Sequence, residues 1–188
     1  MKAILMSIRP EWVAKILNGE KTIEIRKKFP RGYVGWVYIY CTKNGHLTKC
    51  SNGIWYNSKH GKPYDSRFSY YSGYEGKVVA RFWVDKVGGF SKEIFGTYEE
   101  PFTYGQNDLL KKSCLTEKEL DDYLQGKNGK AIHITKLEIF DKPKDISEFG
   151  RVVLEPRFFN GGEYYEEDKR FLTRAPRNGY CYIEVWLC

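Results

Sequence analysis

The chain has 188 residues, and its 31 Lys and Arg against 24 Asp and Glu give it a formal charge of +7. This length suits a single domain over residues 1–188, and no stretch has the apolar length of a signal peptide or a membrane span. We therefore expect a cytoplasmic protein without a membrane partner. The positive charge and the 16% of aromatic residues favour nucleic acid as a partner over an acidic small molecule alone.

The first part of the chain predicts a strand, a helix and a second strand that meet at one point. Residues 3–8 form an apolar run typical of a strand. Residues 10–18 carry apolar side chains at helical spacing, and Gly19 suits the left-handed conformation that ends a helix. In residues 22–26, polar side chains alternate with isoleucines, which predicts a strand with one polar face.

The junction between this helix and the second strand is dense in charge. Lys21 precedes the strand, and side chains two apart on a strand lie about 7 Å apart on one face, so Glu24 and Arg26 should lie side by side. Ser7 and Arg9 end the first strand and point to the same place. The pattern predicts cations and one acid together in a hollow open to solvent. The alternative is a surface ion pair, which contributes about 0 to 1 kcal/mol.

The remaining elements follow from the same patterns. Thr116 should cap a helix that runs through Leu124, with Glu119 completing a capping box. Two segments with few aliphatic residues are interpreted as inserted loops, 42–75 and 155–169. Strands are predicted at 34–41, at 76–88 beside it, at 130–140 and at 180–187.

The first inserted segment is basic and rich in tyrosine. Residues 41–70 hold five Lys and Arg against one Asp. Basic residues interleaved with aromatic ones are typical of single-strand binders, although a loop that packs on itself is an equal alternative. The cysteines and histidines in and near it are too widely spaced for a zinc site, so we expect no metal and no cofactor: Cys41, His46, Cys50 and His60. His133 is a candidate general base, but a single strand histidine is more often structural.

Several motifs together resemble the ASCH domain family of the PUA-like superfamily, in its stand-alone bacterial or phage form. The motifs are residues 19–26, 76–79, 131–134, 174–176 and 180–182. The resemblance implies an α+β fold, a small mixed β-barrel of about six strands with helices packed at its mouth. Segments 42–75 and 155–169 would be additions to that core, and the family is regarded as RNA-associated.

The resemblance also implies a site. It marks six residues as ligand-binding, Ser7, Arg9, Lys21, Glu24, Arg26 and Arg174, with Lys21 and Glu24 as catalytic candidates. One hypothesis is a basic cleft that binds the phosphates of RNA or another single strand while an aromatic ring of the first inserted segment stacks on a base, a modified nucleotide being a further candidate ligand.

The alternative hypothesis is a hydrolase acting on RNA or on a modified nucleoside, ribonuclease-like or similar to an N4-acetylcytidine amidohydrolase. Lys21 would be its central residue, with a pKa lowered by Arg26. In those amidohydrolases a threonine stands three residues after the lysine, whereas this chain has Glu24 there, so Ser7 or Thr22 would have to supply the hydroxyl. A third hypothesis is an interaction domain whose positive charge serves solubility.

Overall fold

The computed structural model describes residues 2–58, 70–71, 73–91, 108–159, 162–176 and 179–185. These residues contain three α-helices, α1 (Pro10–Leu17), α2 (Leu109–Ser113) and α3 (Glu117–Leu124), and one turn of 3-10 helix at Ile146–Glu148. They also contain eleven strands, β1 (Lys2–Ile8), β2 (Ile23–Arg26), β3 (Gly35–Cys41), β4 (His46–Cys50), β5 (Trp55–Ser58), β6 (Tyr70–Tyr71), β7 (Lys77–Phe90), β8 (Gly129–Asp145), β9 (Gly150–Phe159), β10 (Gly162–Phe171) and β11 (Tyr180–Glu184).

A large, mostly antiparallel sheet organises the molecule. It has eight strands in the order β10-β9-β11-β1-β3-β7-β8-β2, and the pair β1 and β3 is parallel. The apolar strand predicted at the start of the chain, β1, lies inside this sheet with its central side chains fully buried. The predicted pairing of strand 34–41 with the strand that begins near residue 76 is confirmed, since β3 pairs with β7. The α+β class is also confirmed.

The barrel is not confirmed. The sheet has eight strands where about six were expected, and within the described residues its two end strands, β2 and β10, do not pair with each other. The pairing of β7 with β8 has register shifts, irregularities of the kind that bend sheets, and the end of β2 lies near the end of β1. There the side chain of Arg26 donates a hydrogen bond of 2.7 Å to the carbonyl oxygen of Ser7. The gap between the two strands is bridged by a side chain and not by a backbone ladder.

The helices fix the two faces of β2. Ile23 and Ile25 pack with Leu109 of α2 and with Leu120 and Leu124 of α3 in a buried apolar cluster. Because alternate strand side chains point to opposite faces, the charged residues of β2 must face away from this cluster. The helices thus direct Glu24 and Arg26 towards the gap beside β1.

The local helix signals hold. Glu119 and Thr116 form the predicted capping box at the start of α3, and Gly19 after α1 has φ +75°. Helix α1 ends at Leu17, with Asn18 as its cap, one residue earlier than predicted.

The prediction of a loop at 155–169 is wrong. Its described residues form a hairpin of β9 and β10, with Glu155 opposite Glu166. Cross-strand ion pairs stabilise the hairpin, one between Arg157 and Glu166 at 3.1 Å and one between Arg170 and Glu155.

The described part of segment 42–75 forms a second, three-stranded sheet in the order β5-β4-β6. This sheet is attached to α1 through Asn18, whose side chain bonds both the backbone N–H and the carbonyl oxygen of Trp55. That the segment is an insertion stays a prediction. Among the helices of the described ranges, none combines the length and the apolar character that a membrane span requires.

Candidate functional site

A cleft of about 770 Å³ lies where the ends of β1 and β2 meet, and we call it the first cleft. One wall is the end of β1, and the opposite wall is β2. Trp12 of α1 and several residues of α3 complete it. Of the predicted site residues, the structure brings five to this cleft: Ser7, Arg9, Lys21, Glu24 and Arg26.

Lys21, Glu24 and Arg26 form a buried charge network in the wall of the first cleft. One carboxylate oxygen of Glu24, Oε2, lies 3.5 Å from Nζ of Lys21, and the other, Oε1, lies 2.9 Å from Nε of Arg26. Lys21 also donates a 2.6 Å hydrogen bond to the carbonyl oxygen of Ser113 at the end of α2. Lys21 and Glu24 are only 3% and 5% exposed. The expected hollow of solvent-exposed charges is therefore wrong for these two residues.

The burial of Lys21 affects its pKa. Burial lowers the pKa of Lys21, because the charged ammonium loses its hydration, and the neighbouring Glu24 carboxylate offsets this only in part. Arg26, which was expected to be the cause, makes the smallest contribution to lowering the pKa. Among the groups around Lys21, Glu24 contributes most to raising its pKa and so favours the ammonium form.

Arg26 is held from two sides. Its Nη2 bonds the carbonyl oxygen of Ser7, and Ser7 in turn donates its backbone N–H to the carbonyl oxygen of Gly179. Gly179 has φ +82°, and a Cβ atom at that position would lie 3.2 Å from Nη1 of Arg26. The glycine leaves the space that the guanidinium occupies.

Unused hydrogen-bonding capacity is concentrated in this cleft. Within the residues that the structure describes, three buried side-chain polar atoms have no hydrogen-bond partner: Oγ of Ser7, Oγ1 of Thr42 and Nε of Arg26. All three residues line the first cleft. The ion pair of Arg26 with Glu24 is close in distance, but the N–H of Nε is not aimed at the carboxylate oxygen. An unsatisfied buried polar group costs about 1 to 3 kcal/mol, and native proteins have few of them.

The first cleft is not a basic cleft, contrary to expectation. Its lining contains four cationic and four acidic side chains, Arg9, Lys21, Arg26 and Lys27 against Glu11, Glu24, Glu119 and Asp122. Arg9, whose side chain is 65% exposed, lies 3.4 Å from Glu11, and the other cations are near carboxylates or aromatic rings. With a formal charge of zero, the cleft suits a neutral polar ligand better than a phosphate.

Other predicted residues lie outside the first cleft. Arg174 is exposed and lines no part of it, and Thr22 lines none either. His133 also lies elsewhere, with Nδ1 2.7 Å from a carboxylate oxygen of Asp85. Of the hydroxyls considered for catalysis, only that of Ser7 belongs to a residue of the cleft.

The described aromatic residues of segment 42–75 do not line the first cleft either. Trp55 is buried against Tyr74, with ring centroids 4.8 Å apart, while His60 and residues 59–69 lie outside the described part of the chain. The residues of this segment that do line the cleft are Thr42 and Asn44. Within the described ranges, no group of three His, Cys, Asp or Glu side chains is placed to hold a metal ion.

Sequence reasoning missed Thr42, Trp12 and the whole α3 wall of the cleft. Trp12 was interpreted only as part of the apolar face of α1, but its ring also lies 5.3 Å from Nζ of Lys21. Helix α3 comes more than 90 residues after β2. Its capping box predicts that a helix begins there but does not predict which strand the helix packs against. The one local signal was the basic turn after β2, to which Lys27 belongs.

Neither the models of known protein families nor the curated proteins match this chain. Among solved structures, it is similar to the crystal structure of ASCH from Zymomonas mobilis and to two single-substitution mutants of that protein. Each is 15% identical; the alignments cover 77%, 78% and 76% of this chain and 73%, 77% and 73% of the other, with TM-scores of 0.48, 0.48 and 0.47. These structures bear the name of the family that the motifs resemble. At such identity and TM-score these similarities support no conclusion about function. The proposed function is argued from the residues of this chain.

Proposed function

We propose that this protein binds single-stranded nucleic acid, RNA in the first place, and that the first cleft holds one nucleoside unit of the strand. The observation that carries the proposal is the set of three unsatisfied polar atoms, on Ser7, Thr42 and Arg26, in a cleft without net charge. The edge of a base and the ribose hydroxyls offer neutral donors and acceptors of this kind.

Size and surface also support a nucleoside. The volume of about 770 Å³ lies within the range of about 300 to 1,000 Å³ that is typical of small-ligand pockets. The partly exposed ring of Trp12 and the exposed ring of Tyr123 offer aromatic surfaces in the cleft wall. Both hydroxyl oxygens are buried in the unbound protein, so the proposal requires the side chain of Ser7 or Thr42 to rotate for its hydroxyl to reach a bound polar group.

We propose RNA and not DNA as the ligand for two reasons. The motifs around Lys21 resemble a family regarded as RNA-associated, and a nucleoside with a 2′-hydroxyl supplies one more partner for the unsatisfied hydroxyls. The net charge of +7 favours a polyanion of either kind.

Binding of nucleosides and of short single-stranded RNA, followed by the fluorescence of Trp12 and the other tryptophans, tests the proposal. Each of Ser7→Ala and Thr42→Val should weaken nucleoside binding by about two- to tenfold, since one hydrogen bond contributes about 0.5 to 1.5 kcal/mol. The matched control is Thr135→Val, which removes a hydroxyl bonded to the carbonyl oxygen of Trp83 outside the cleft and should leave binding unchanged. Absence of nucleoside binding, or equal affinity in all variants, would refute the proposal.

A second candidate function is hydrolysis of RNA or of an acetylated nucleoside, and one observation favours it. Lys21 is a lysine with a lowered pKa beside a carboxylate, and it lines the cleft. Such groups are frequent in active sites. Because Lys21 donates a hydrogen bond to the carbonyl oxygen of Ser113, we assign it the role of stabilising developing negative charge, and Glu24 the role of holding it.

Incubation of the protein with RNA and with N4-acetylcytidine, with products identified by mass, tests this second function. We expect the wild type to form product and Lys21→Met to form none. Lys21→Met leaves Glu24 paired with Arg26, and circular dichroism would verify that it folds. Equal product formation by both proteins, or none by the wild type, would exclude catalysis through Lys21.

A further inference from the structure

A second cleft adjoins the first and differs from it in charge. It has a volume of about 1,000 Å³ and is lined by five cations and one carboxylate: Lys2, Arg26, Lys27, Lys28 and Arg151 against Glu184. The two clefts share Arg26, Lys27 and Tyr123, so they adjoin at these side chains. None of the residues predicted from the sequence as a site, apart from Arg26, lines the second cleft.

We infer that the second cleft is the path of the sugar–phosphate backbone for the nucleotides next to the one whose nucleoside occupies the first cleft. The inference rests on the proposed function, which concerns the first cleft alone. It adds that the ligand is a strand of several nucleotides, and it assigns phosphate binding to residues that the charged motif around Lys21 does not include.

The cations of the second cleft come from separate parts of the chain, which supports a binding surface formed by the fold. Lys2 belongs to β1, Lys28 follows β2, and Arg151 belongs to β9, so the fold collects them from three separate parts of the chain. A run of like charges on one exposed segment is usually a solvated face, but convergence from separate strands concentrates positive potential at one place. This is the potential that a polyanionic backbone requires.

These cations are also free to bind. Within the described ranges, Lys2, Lys28 and Arg151 form no ion pair. Arg151 stands opposite another cation, Arg170, in the β9–β10 hairpin, and Arg170 is itself paired with carboxylates. The acidic side chains of the hairpin that form ion pairs are thus paired with Arg157 and Arg170, and Arg151 has no carboxylate partner among the described residues.

Aromatic rings accompany the cations. Tyr182 on β11 is 51% exposed, and Tyr180, Tyr123 and Tyr182 all line the second cleft. Lys27 lies 5.3 Å from the ring centroid of Tyr123. A positive groove with exposed aromatic rings is the usual surface for single strands, because every base has a face on which a ring can stack.

The test measures the affinity of the full chain for a fluorescent single-stranded RNA of mixed sequence as a function of salt. The double variant Lys28→Gln with Arg151→Gln removes two phosphate contacts. Since each contact on a single strand contributes a slope of about 0.7 in log affinity against log salt, the slope should fall by about 1.4. The control variant Lys86→Gln with Lys142→Gln removes the same charge from exposed positions outside both clefts and should leave the slope unchanged.

Nucleoside binding, measured in parallel, separates this inference from the proposed function. The second-cleft variant should bind a free nucleoside like the wild type. An unchanged slope in that variant, an equal fall in the control variant, or equal affinity for inorganic polyphosphate would overturn the inference even if nucleosides bind. Conversely, a fall in slope limited to the second-cleft variant, without any nucleoside binding, would support the backbone path and refute only the proposed function of the first cleft.

Discussion

The two clefts lie side by side and share Arg26, yet they use charge in opposite ways. In the first cleft, the buried Lys21 and the partly buried Arg26 are both paired with one buried carboxylate, that of Glu24. The polar atoms left without a hydrogen bond there are two neutral hydroxyls and Nε of Arg26. In the second, most cations are exposed and unpaired within the described residues. Buried charges need partners because desolvation is costly, whereas exposed cations remain available to a ligand. The charged motif around Lys21 is therefore part of the packed wall of the first cleft, whereas the exposed cations Lys2, Lys28 and Arg151 line the second.

This contrast assigns different tasks to the same residue types. Lys21, the lysine of the sequence motif, stabilises the junction of α2 and β2 through Glu24 and the carbonyl of Ser113. Lys28, in a turn without a motif, is the lysine available to a phosphate. Arg26 lies between the two and lines both clefts.

The largest expected effect is on the free energy of unfolding, and it distinguishes buried, paired charges from exposed ones. Glu24→Gln removes the carboxylate that faces two cations, one of them fully buried, and should lower the free energy of unfolding by about 3 to 5 kcal/mol. Glu138→Gln, which loses an exposed pair with Arg81, should cost about 0 to 1 kcal/mol. Lys28→Gln should change stability by less than about 0.5 kcal/mol.

Urea unfolding of the three variants measures these differences. If Glu24→Gln lowers the free energy of unfolding by no more than Glu138→Gln does, the paired charges of the first cleft do not stabilise the fold. The proposed difference between the two clefts would then be wrong.

A second prediction concerns the position of Arg26 between the clefts. Gly179→Ala places a Cβ atom 3.2 Å from Nη1 of Arg26 at a residue with φ +82°. The left-handed conformation should cost about 1 to 2 kcal/mol of stability, and the displaced guanidinium should weaken RNA binding. Gly53→Ala has a comparable φ of +87° but no atom within 4 Å of the new Cβ atom.

Comparison of the two glycine variants isolates the effect on Arg26. Both should lose similar stability in thermal or urea unfolding, but only Gly179→Ala should lose affinity. Equal affinities in the two variants would show that the position of Arg26 is unimportant for binding.

The third prediction follows from the lowered pKa of Lys21. Between the pKa of the folded state and the higher pKa of an exposed lysine, the unfolded chain binds more protons than the folded one. The free energy of unfolding must therefore rise with pH in that window, by at most about 1.4 kcal/mol per pH unit for one group.

Urea unfolding at a series of alkaline pH values, compared between wild type and Lys21→Met, measures this contribution. The wild type should show the additional positive slope and Lys21→Met should lack it. A wild-type slope that is equal to or below that of Lys21→Met would mean that the pairing with Glu24 outweighs burial.

The smallest expected effect is the most specific for the first cleft. Ser7→Ala and Thr42→Val remove hydroxyls that bond no other described group, so each should change stability by about zero or increase it slightly. Ser113→Ala, which breaks a bond to the carbonyl oxygen of Leu110, and Thr135→Val should each cost about 1 kcal/mol. Thermal unfolding without ligand distinguishes the two pairs, and equal losses in all four would show that Ser7 and Thr42 make bonds of their own.

Local sequence signals predicted much of the scaffold. The helical spacing before Gly19, the capping box of Thr116 and Glu119 and the alternation in residues 22–26 each depend on neighbours within a few residues, and each has its predicted structure. The same alternation places Glu24 and Arg26 together, and Lys21, which was predicted at the same junction, lies beside Glu24 in the structure.

What sequence reasoning missed depends on distant partners. The burial of Lys21 is caused by α2, whose Ser113 is 92 residues away, and the first cleft is closed by α3, which no pattern near β2 announces. The hairpin at 155–169 was missed because its polar composition resembles a loop, although cross-strand ion pairs stabilise it. The second cleft requires β1, β2, β9 and β11 to be in place before its cations converge.

The most direct test of the division between the clefts is a nuclear magnetic resonance titration of the labelled protein, first with a free nucleoside and then with a short single-stranded RNA. Four backbone amide signals are compared, those of Ser7 and Thr42 in the first cleft and those of Lys28 and Tyr182 in the second. We expect the nucleoside to shift only the first two of these four signals and the RNA to shift all four. Signals of Lys28 and Tyr182 that respond to the nucleoside, or that stay unchanged with RNA, would contradict this expectation.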